Sequence, residues 1–383
     1  MLTVFIPKER RPGELRVAAT PETTKRYVKA GANVLLERGA GLGSNLSDEA
    51  YLQAGAQLVD GKAEDWGRAD LVLKVGALLP NDALGGHEAE ALREGAAVLG
   101  LLAPHQSAET LRRLAERRVT SLAMELVPRI SRAQKMDALS SQASIAGYKA
   151  VLVAAASLGK YMPLLMTAAG TVQPAKVVVM GAGVAGLQAI ATARRLGATV
   201  EVSDIRPAVK EQVQSLGGRF IELPMEEGGE GEGGYAKEVS ADFLRRQQEV
   251  IADKVAAADI VITTALVPGK AAPRLLTRAM VERMRPGAVV VDLAVEQGGN
   301  CELSVLGKEI LHGGVRIIGN EHLVSSVAED ASMLYARNVA EVVALITAGG
   351  SLDLSDEIAQ AMLLTEGGEL RFGRQLAQVA VNK

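Results

Sequence analysis

Short apolar runs alternate with amphipathic stretches along most of the chain. In the first 135 residues, four runs are apolar at nearly every position, as expected for strands that are covered on both faces. Between them, apolar residues recur every three or four positions, which is the spacing of an amphipathic helix. This alternation predicts a parallel sheet with helices on its faces. The predicted strands are 4–6, 33–36, 71–75 and 97–102, and the predicted helices are 21–30, 47–55, 87–94 and 107–118.

The alternation restarts after a long alanine-rich segment at 137–158, which we predict to be one helix, and a second long helix is predicted at 327–347. These patterns indicate an α/β fold of two Rossmann-like, doubly wound parallel-sheet domains joined by a long helix. The first domain comprises residues 1–137 and a returning tail at 321–383, and the second comprises residues 138–320. The strands predicted for the second domain are 176–180, 199–203, 219–223, 259–264, 288–293 and 315–319.

Composition and charge exclude several classes of protein. Among 383 residues, 42 Lys and Arg face 45 Asp and Glu, and this balance is unlike that of a nucleic-acid binder. The single cysteine, Cys301, excludes an intramolecular disulfide, and the four histidines lack paired ligand spacing, so no metal site is predicted. No apolar run has the length of a membrane span, and charges follow rather than precede the apolar N-terminus. We therefore expect a cytoplasmic protein with no direct membrane insertion.

A glycine motif directly follows the predicted strand 176–180. Gly181, Gly183 and Gly186 form the pattern G-x-G-x-x-G, and a predicted helix comes next. The first glycine permits a tight turn, the second lets the backbone approach a pyrophosphate, and the third lets helix and strand pack closely. The N–H groups at the helix N-terminus then bind the phosphates. The residues predicted to bind a dinucleotide here are Gly181, Ala182, Gly183, Val184, Ala185 and Gly186.

The next predicted strand ends at Asp204, which lies 18 residues after Gly186. A carboxylate at this place accepts hydrogen bonds from the adenosine ribose hydroxyls and repels a 2′-phosphate. Arg206 opposes this preference, because a cation two residues further on attracts such a phosphate. We expect NAD(H) as the cofactor, and the alternative is a tight turn followed by a chance Asp. The residues predicted to line the ribose site are Ser203, Asp204, Ile205 and Arg206.

Two further strand ends are expected at the same crevice, because ligands of open α/β sheets bind at the carboxyl ends of the strands. Ala265 and Leu266 follow the predicted strand 259–264 and are predicted to contact the cofactor. Glu296 and the pair Gly298-Gly299 follow the next predicted strand. A plain turn explains these glycines equally well, and a surface position suits Glu296 better than a site does.

A polar segment precedes and enters the long helix at 137–158, and periodicity does not explain it. Arg129, Gln134, Asp137 and Ser140 stand just before this helix or at its start. From the pattern alone, the favoured explanation is capping, with Asp137 or Ser140 as the N-cap and Arg129 on the surface.

The segments 129–148, 181–206, 234–237 and 292–299 together resemble the soluble NAD(H)-binding subunit (domain I) of proton-translocating nicotinamide nucleotide transhydrogenases. The resemblance covers essentially the whole chain and is more specific than the glycine motif. It implies a homodimer whose protomers hold NADH so that hydride passes directly to NADP⁺ on an NADP(H)-binding partner subunit. It also implies membrane-embedded subunits that move protons, through which this chain associates peripherally with the membrane.

The same resemblance implies roles for particular residues. Arg129, Gln134, Asp137 and Ser140 are implied to surround the nicotinamide and its ribose, and Tyr235 to lie on a loop that closes over the nucleotide. The Gly- and Glu-rich composition of that loop, 224–235, also fits a plain surface loop. Three further residues are implied to contact the cofactor, namely Lys135, Met136 and Gly234.

The nearest competing enzyme is alanine dehydrogenase, which shares this fold. Arg16 and Lys74 match the positions that bind a keto acid in that family. However, its catalytic His falls at Ala103, two residues before His105, and its catalytic Asp falls at Glu296. Oxidation of an amino acid needs a proton acceptor beside the substrate, so this activity is disfavoured. A third hypothesis, from a different class, is a non-catalytic, NAD-responsive binding subunit.

Overall fold

The computed structural model describes residues 1–222, 241–267 and 269–372, of which 241–247 only as backbone. The chain divides into two compact units, Met1–Gln142 with Val324–Lys383 and Ala143–Leu323. Gly234, Tyr235 and the rest of the predicted loop 224–235 lie outside the described residues. Within the described ranges, no helix combines the length and the hydropathy needed to cross a lipid bilayer.

Strands and helices alternate along the described chain. The strands are β1 (Thr3–Ile6), β2 (Asn33–Glu37), β3 (Gln57–Val59), β4 (Leu71–Leu73), β5 (Pro80–Asn81), β6 (Gly86–His87), β7 (Ala97–Gly100), β8 (Thr120–Ala123), β9 (Leu165–Thr167), β10 (Gly170–Val172), β11 (Lys176–Met180), β12 (Thr199–Ser203), β13 (Arg219–Phe220), β14 (Ile260–Thr263), β15 (Val289–Asp292), β16 (Lys308–His312), β17 (Val315–Gly319), β18 (Leu363–Glu366) and β19 (Glu369–Leu370). The α-helices are α1 (Pro21–Lys29), α2 (Asp48–Gln53), α3 (Ala63–Arg68), α4 (Glu88–Ala91), α5 (Ala108–Glu116), α6 (Ala138–Ser157), α7 (Val184–Arg195), α8 (Lys210–Ser215), α9 (Ala241–Ala256), α10 (Arg278–Glu282), α11 (Ala328–Ile346) and α12 (Glu357–Met362).

The sheet of the first unit has the strand order β19-β18-β8-β7-β4-β1-β2-β3. The six strands from β8 to β3 are parallel, and the returning strand β18 pairs antiparallel with β8. Alternate residues of β1 enter two separate cores, with Val4 and Ile6 in one and Phe5 in the other. Because the side chains of a strand alternate between its faces, both faces of this sheet are covered.

The sheet of the second unit has the strand order β13-β12-β11-β14-β15-β17-β16. Its strands are parallel except β16, which is antiparallel at one edge. Val177 and Val179 of β11 enter one core, and Val178 and Met180 enter the other, so this sheet is also covered on both faces. The helix α6 begins in the first unit and continues into the second. The predicted fold class, two doubly wound parallel sheets joined by a long helix, is confirmed.

The pattern along the chain misses several elements. β8 is not predicted because Thr120 and Ser121 interrupt its apolar run, yet Ser121 is fully buried. Its hydroxyl shares a hydrogen bond of 2.7 Å with the hydroxyl of Thr365 on the returning strand, which satisfies both groups. The edge strand β16 is missed because most of its residues are exposed. The helix predicted at 87–94 is shorter than expected, because the backbone is already extended at Leu92.

Candidate nucleotide-binding site

The turn between β11 and α7 has the backbone that the glycine motif predicts. Gly181 has a φ of +106°, a conformation that favours glycine, and its N–H donates to the carbonyl of Ser203 at 2.8 Å. A Cβ added at Gly186 would lie 1.9 Å from the carbonyl oxygen of Gly181, whereas a Cβ added at Gly183 would meet nothing within 4 Å. The turn is therefore closely packed at Gly186 and open at Gly183, where α7 begins.

This turn is suited to hold a pyrophosphate. α7 has 12 residues, and the first N–H groups of a helix have no acceptor within it. These groups form the positive end of the helix dipole, which attracts anions. Because Gly183 has no side chain and open space beside it, a phosphate can approach the N–H groups closely. The geometry fits a dinucleotide that is held by its phosphates.

Asp204, directly after β12, contacts the glycine turn. Its Oδ2 accepts from the N–H of Ala182 at 2.7 Å, and its two oxygens accept from the guanidinium of Arg206, each at 3.0 Å. Burial alone would raise the pKa of Asp204, but these hydrogen bonds outweigh burial and the pKa is lowered. The carboxylate is therefore charged at neutral pH and neutralises Arg206, which would otherwise attract a 2′-phosphate.

We expect Asp204→Ala to weaken NADH binding by about tenfold, which corresponds to ~1.4 kcal/mol. The change removes the acceptor for the ribose hydroxyls and leaves the Arg206 guanidinium, which is 56% exposed, without its carboxylate. NADPH should therefore bind more tightly to the variant than to the wild type, and titration calorimetry with both nucleotides measures the two effects. Glu201→Gln, on β12, alters a partly exposed ion pair with Lys254 and is the matched control. Tighter binding of NADPH than of NADH by the wild type would contradict the predicted preference.

The loops that follow β14 and β15 are joined by two buried polar side chains. The amide of Asn300 accepts from the N–H of Ala265 at 2.9 Å and donates to the carbonyls of Ala265 and Pro273, both at 2.8 Å. Asp292 is fully buried and holds the second loop by accepting five hydrogen bonds. Its donors are the hydroxyls of Thr263 and Ser304 and the N–H groups of Ala294, Asn300 and Cys301. This network fixes the backbone of the predicted contact residue Ala265.

In the first unit, the polar segment 129–140 forms a 3₁₀ helix, Ser131–Met136, that leads into α6. Asp137 caps α6, because its Oδ1 accepts from the N–H of Ser140 at 2.9 Å and its Oδ2 from the hydroxyl of the same residue at 2.6 Å. The capping interpretation of Asp137 is thus confirmed. The side chains of Arg129 and Gln134 are exposed and make no hydrogen bond with any other described residue.

The remaining predicted residues lie in the first unit, in the second unit or outside the described part of the chain. Lys135 is exposed, whereas Met136 is buried in the apolar core of the first unit. In the second unit, Ile205 is 94% exposed beside Asp204, and Leu266 is 49% exposed after β14. Gly298 and Gly299 both have positive φ and form a turn, and Glu296 before them is exposed. Gly234 and Tyr235 belong to the part of the chain that is not described.

Gly147 is a residue of the site that the sequence analysis missed. A Cβ added there would lie 2.0 Å from the carbonyl oxygen of Ala185, so α6 packs directly against the first turn of α7. A signal was present, because Gly147 is the single glycine in the 20-residue helix α6, and glycine disfavours a helix interior. A glycine retained at such a place indicates a close approach of another backbone.

Two cations of the first unit have little exposure to solvent: Arg16, in the loop after β1, is partly buried, and Lys74, directly after β4, is fully buried. Arg16 forms a bidentate ion pair with Glu14, with N···O distances of 2.7 and 2.6 Å. Burial alone would raise the pKa of Glu14, but the hydrogen bonds from Arg16 lower it to about 2. The ammonium of Lys74 lies 3.0 Å from Glu88 and 3.4 Å from Glu9. Both cations are neutralised by carboxylates of the chain itself, which disfavours binding of a keto acid.

Alanine stands where alanine dehydrogenase has its catalytic histidine, and the nearby His105 contacts an aromatic ring. Ala103 has a left-handed backbone with a φ of +47°, and its N–H donates to Glu125 at 2.6 Å. His105 packs edge-on against the ring of Phe372, with the ring centroids 4.9 Å apart. Residue 103 therefore has no side chain that can transfer a proton, and His105, two residues further on, is exposed.

Comparisons with known proteins agree with this geometry. The family model described as Alanine dehydrogenase/PNT, N-terminal domain, matches residues 5–146, and the model of the C-terminal domain matches residues 150–373. Among curated proteins, the chain is similar to the first of the parts that make up NAD(P) transhydrogenase subunit alpha of Rhodospirillum rubrum. The two sequences are 48% identical over 340 residues, with 88% of each chain covered.

Two solved structures have the same fold. The transhydrogenase from Sinorhizobium meliloti matches with a TM-score of 0.84 and 45% identity, over 97% of this chain and 99% of that chain. An L-alanine dehydrogenase matches with a TM-score of 0.81 but only 27% identity, over 100% of this chain and 99% of that chain. The resemblance inferred from the motifs is confirmed: the chain belongs to the alanine dehydrogenase/PNT family and is more similar to the transhydrogenases within it.

Proposed function

We propose that this chain is the NAD(H)-binding subunit of a proton-translocating NAD(P) transhydrogenase. In this proposal it passes hydride directly between NADH and NADP⁺ that is held on a partner subunit. The observation that carries the proposal is the open glycine turn with its charged Asp204, in a chain 48% identical to a transhydrogenase alpha subunit. The neutralised cations Arg16 and Lys74 argue against alanine dehydrogenase.

We further propose that the segment 129–140 meets the nicotinamide end of the cofactor. The bound nicotinamide supplies the hydride, and its transfer to a second nicotinamide needs no general base. The protein must therefore position the ring and exclude water. Arg129 and Gln134 have side-chain donors without a partner among the described residues, while Asp137 and Ser140 form the cap at the start of α6. The proposal also includes Gly234 and Tyr235 as contacts of the nucleotide, and both lie outside the described residues.

The remaining parts of the proposal concern partners. Membrane-embedded subunits move the protons, and this chain is attached to the membrane through them rather than by insertion. The name of the Rhodospirillum rubrum relative describes it as the first of the parts of an alpha subunit, which fits a system divided among several polypeptides. Genes for membrane subunits next to the gene for this chain would support the arrangement.

Reconstitution tests the proposed function. The chain is combined with candidate NADP(H)-binding and membrane subunits, and reduction of an NAD⁺ analogue by NADPH is followed spectroscopically. We expect turnover in the complete mixture and none from the chain alone. NADH binding without turnover in the complete mixture would favour a non-catalytic binding subunit. Sustained formation of NADH from alanine and NAD⁺ by the chain alone would favour alanine dehydrogenase.

A homodimer is also part of the proposal, and an apolar hairpin supports it. Among the strands of the described ranges, β9 and β10 pair only with each other, and isolated two-stranded hairpins are marginally stable in water. Three apolar side chains at this hairpin and just before it are largely exposed, which is typical of a contact surface. They are Tyr161 (60%), Leu164 (52%) and Met166 (75%).

We expect Met166→Asp to shift the protein from dimer to monomer, because a carboxylate in an apolar contact must be desolvated without a partner. Sedimentation velocity at several protein concentrations measures the change. Leu311→Asp, at the exposed edge strand β16, removes an apolar side chain that is 71% exposed and serves as the control. A variant that dimerises as tightly as the wild type would rule out the hairpin as the contact.

A further inference from the structure

Asn338, on α11, joins the 3₁₀ helix Ser131–Met136 to the start of α6. Its Nδ2 donates to the carbonyl of Lys135 at 2.7 Å, and its Oδ1 accepts from the hydroxyl of Ser141 at 2.7 Å. The amide can adopt only this orientation, because a carbonyl accepts and cannot donate. One side chain thus connects the residue next to Gln134 with the first turn of the following helix.

Besides Asn338, the burial of Ala133 and Met136 in the apolar core and the ion pairs of Arg132 hold this segment, but apolar packing is not directional. Arg132 makes two hydrogen bonds to Asp356, directly before α12, and one to Glu357, but Arg132 and Glu357 are more than half exposed, and exposed ion pairs contribute little. The cap formed by Asp137 lies within the turn itself and moves with it. Asn338, in contrast, projects from the 19-residue helix α11, which is anchored in the core through Tyr335 and Val339.

We infer that Asn338 is a positioning residue for hydride transfer, and that it acts by setting where Gln134 lies. The inference rests on the proposed function, since it assumes that Gln134 meets the nicotinamide. Loss of the bond to Lys135 would let the 3₁₀ helix shift by a fraction of an ångström. Displacement of about 1 Å from productive geometry can cost about 100-fold in rate, so a smaller shift should cost about tenfold.

The test uses Asn338→Asp in the complete reconstituted system. This variant keeps the acceptor for Ser141 but places a carboxylate oxygen against the carbonyl of Lys135. We expect single-turnover hydride transfer to slow by about tenfold, while the Kd for NADH stays within about twofold of the wild type. Arg337→Gln is the matched control, because this neighbouring residue forms only an exposed ion pair with Glu22. If Asn338→Asp folds poorly, as judged by thermal melting, Asn338→Ala removes the same bond without the repulsion.

A double-mutant cycle shows whether Asn338 acts through Gln134. In a Gln134→Asn background, Asn338→Asp should cause little further loss, because residues that act as a unit are not additive. An equal loss in both backgrounds, a loss confined to NADH affinity, or a rate equal to that of the wild type would each overturn the inference. Absence of transfer in the wild-type system would instead refute the proposed function, so the two failures are distinguishable.

Discussion

Replacing Gln134 by Asn is expected to slow hydride transfer by about 100-fold in the reconstituted system, while the Kd for NADH changes by less than about threefold. The side chain becomes one methylene shorter and keeps its amide, so it can still bind but reaches a different place. Gln134 is exposed and its side chain has no hydrogen-bond partner among the described residues, so the change breaks no hydrogen bond to them. Stopped-flow single turnovers measure the transfer step, and titration calorimetry measures the affinity.

The control for this prediction is Gln53→Asn. Gln53 is an exposed residue of α2, where its amide contacts only Glu49, and the chemical change is the same. We expect it to alter neither the rate nor the affinity. If Gln134→Asn weakened NADH binding as much as it slowed transfer, the residue would contribute to ground-state binding alone, and its role in positioning the ring would have to be abandoned.

Replacing Gly186 by Ala is expected to abolish measurable NADH binding and to lower the melting temperature. The new Cβ would lie 1.9 Å from the carbonyl oxygen of Gly181, and this oxygen belongs to backbone that cannot move aside without opening the turn. The N–H groups at the start of α7 would then no longer converge on one phosphate position. Calorimetric titration with NADH and a thermal melt measure the two consequences.

Two other glycines make this prediction specific. Gly183→Ala should fold as the wild type does, because its Cβ meets nothing within 4 Å, yet it should weaken NADH binding by filling the space left for the pyrophosphate. Gly159→Ala, also in open space but outside the turn, should change neither property. Normal NADH affinity in Gly183→Ala would show that the phosphates do not lie at this turn.

The structure also shows why some predictions from the sequence were incomplete. The pattern predicts Asp137 or Ser140 as the N-cap before an apolar helix, and Asp137 forms the cap. A capping residue and a ligand-binding residue at the start of a helix are both short polar side chains. The sequence pattern therefore could not distinguish the two roles. The exposure of Arg129 and Gln134, whose side chains have no hydrogen-bond partner in the described part of the chain, is a property of the folded chain.

The sequence by itself determined the two parallel sheets and the glycine turn. Both depend on local rules: apolar runs of strand length, a glycine at position 181, and an acidic residue at a set distance along the chain. Only the tertiary structure decided which distant residues hold the site. The bond from Asn300 to Ala265 spans 35 positions and that from Asn338 to Lys135 spans 203. An amide side chain can hold the site only when folding brings its hydrogen-bond partner close. Because the partners are far apart along the chain, the periodicity of the sequence does not predict these hydrogen bonds.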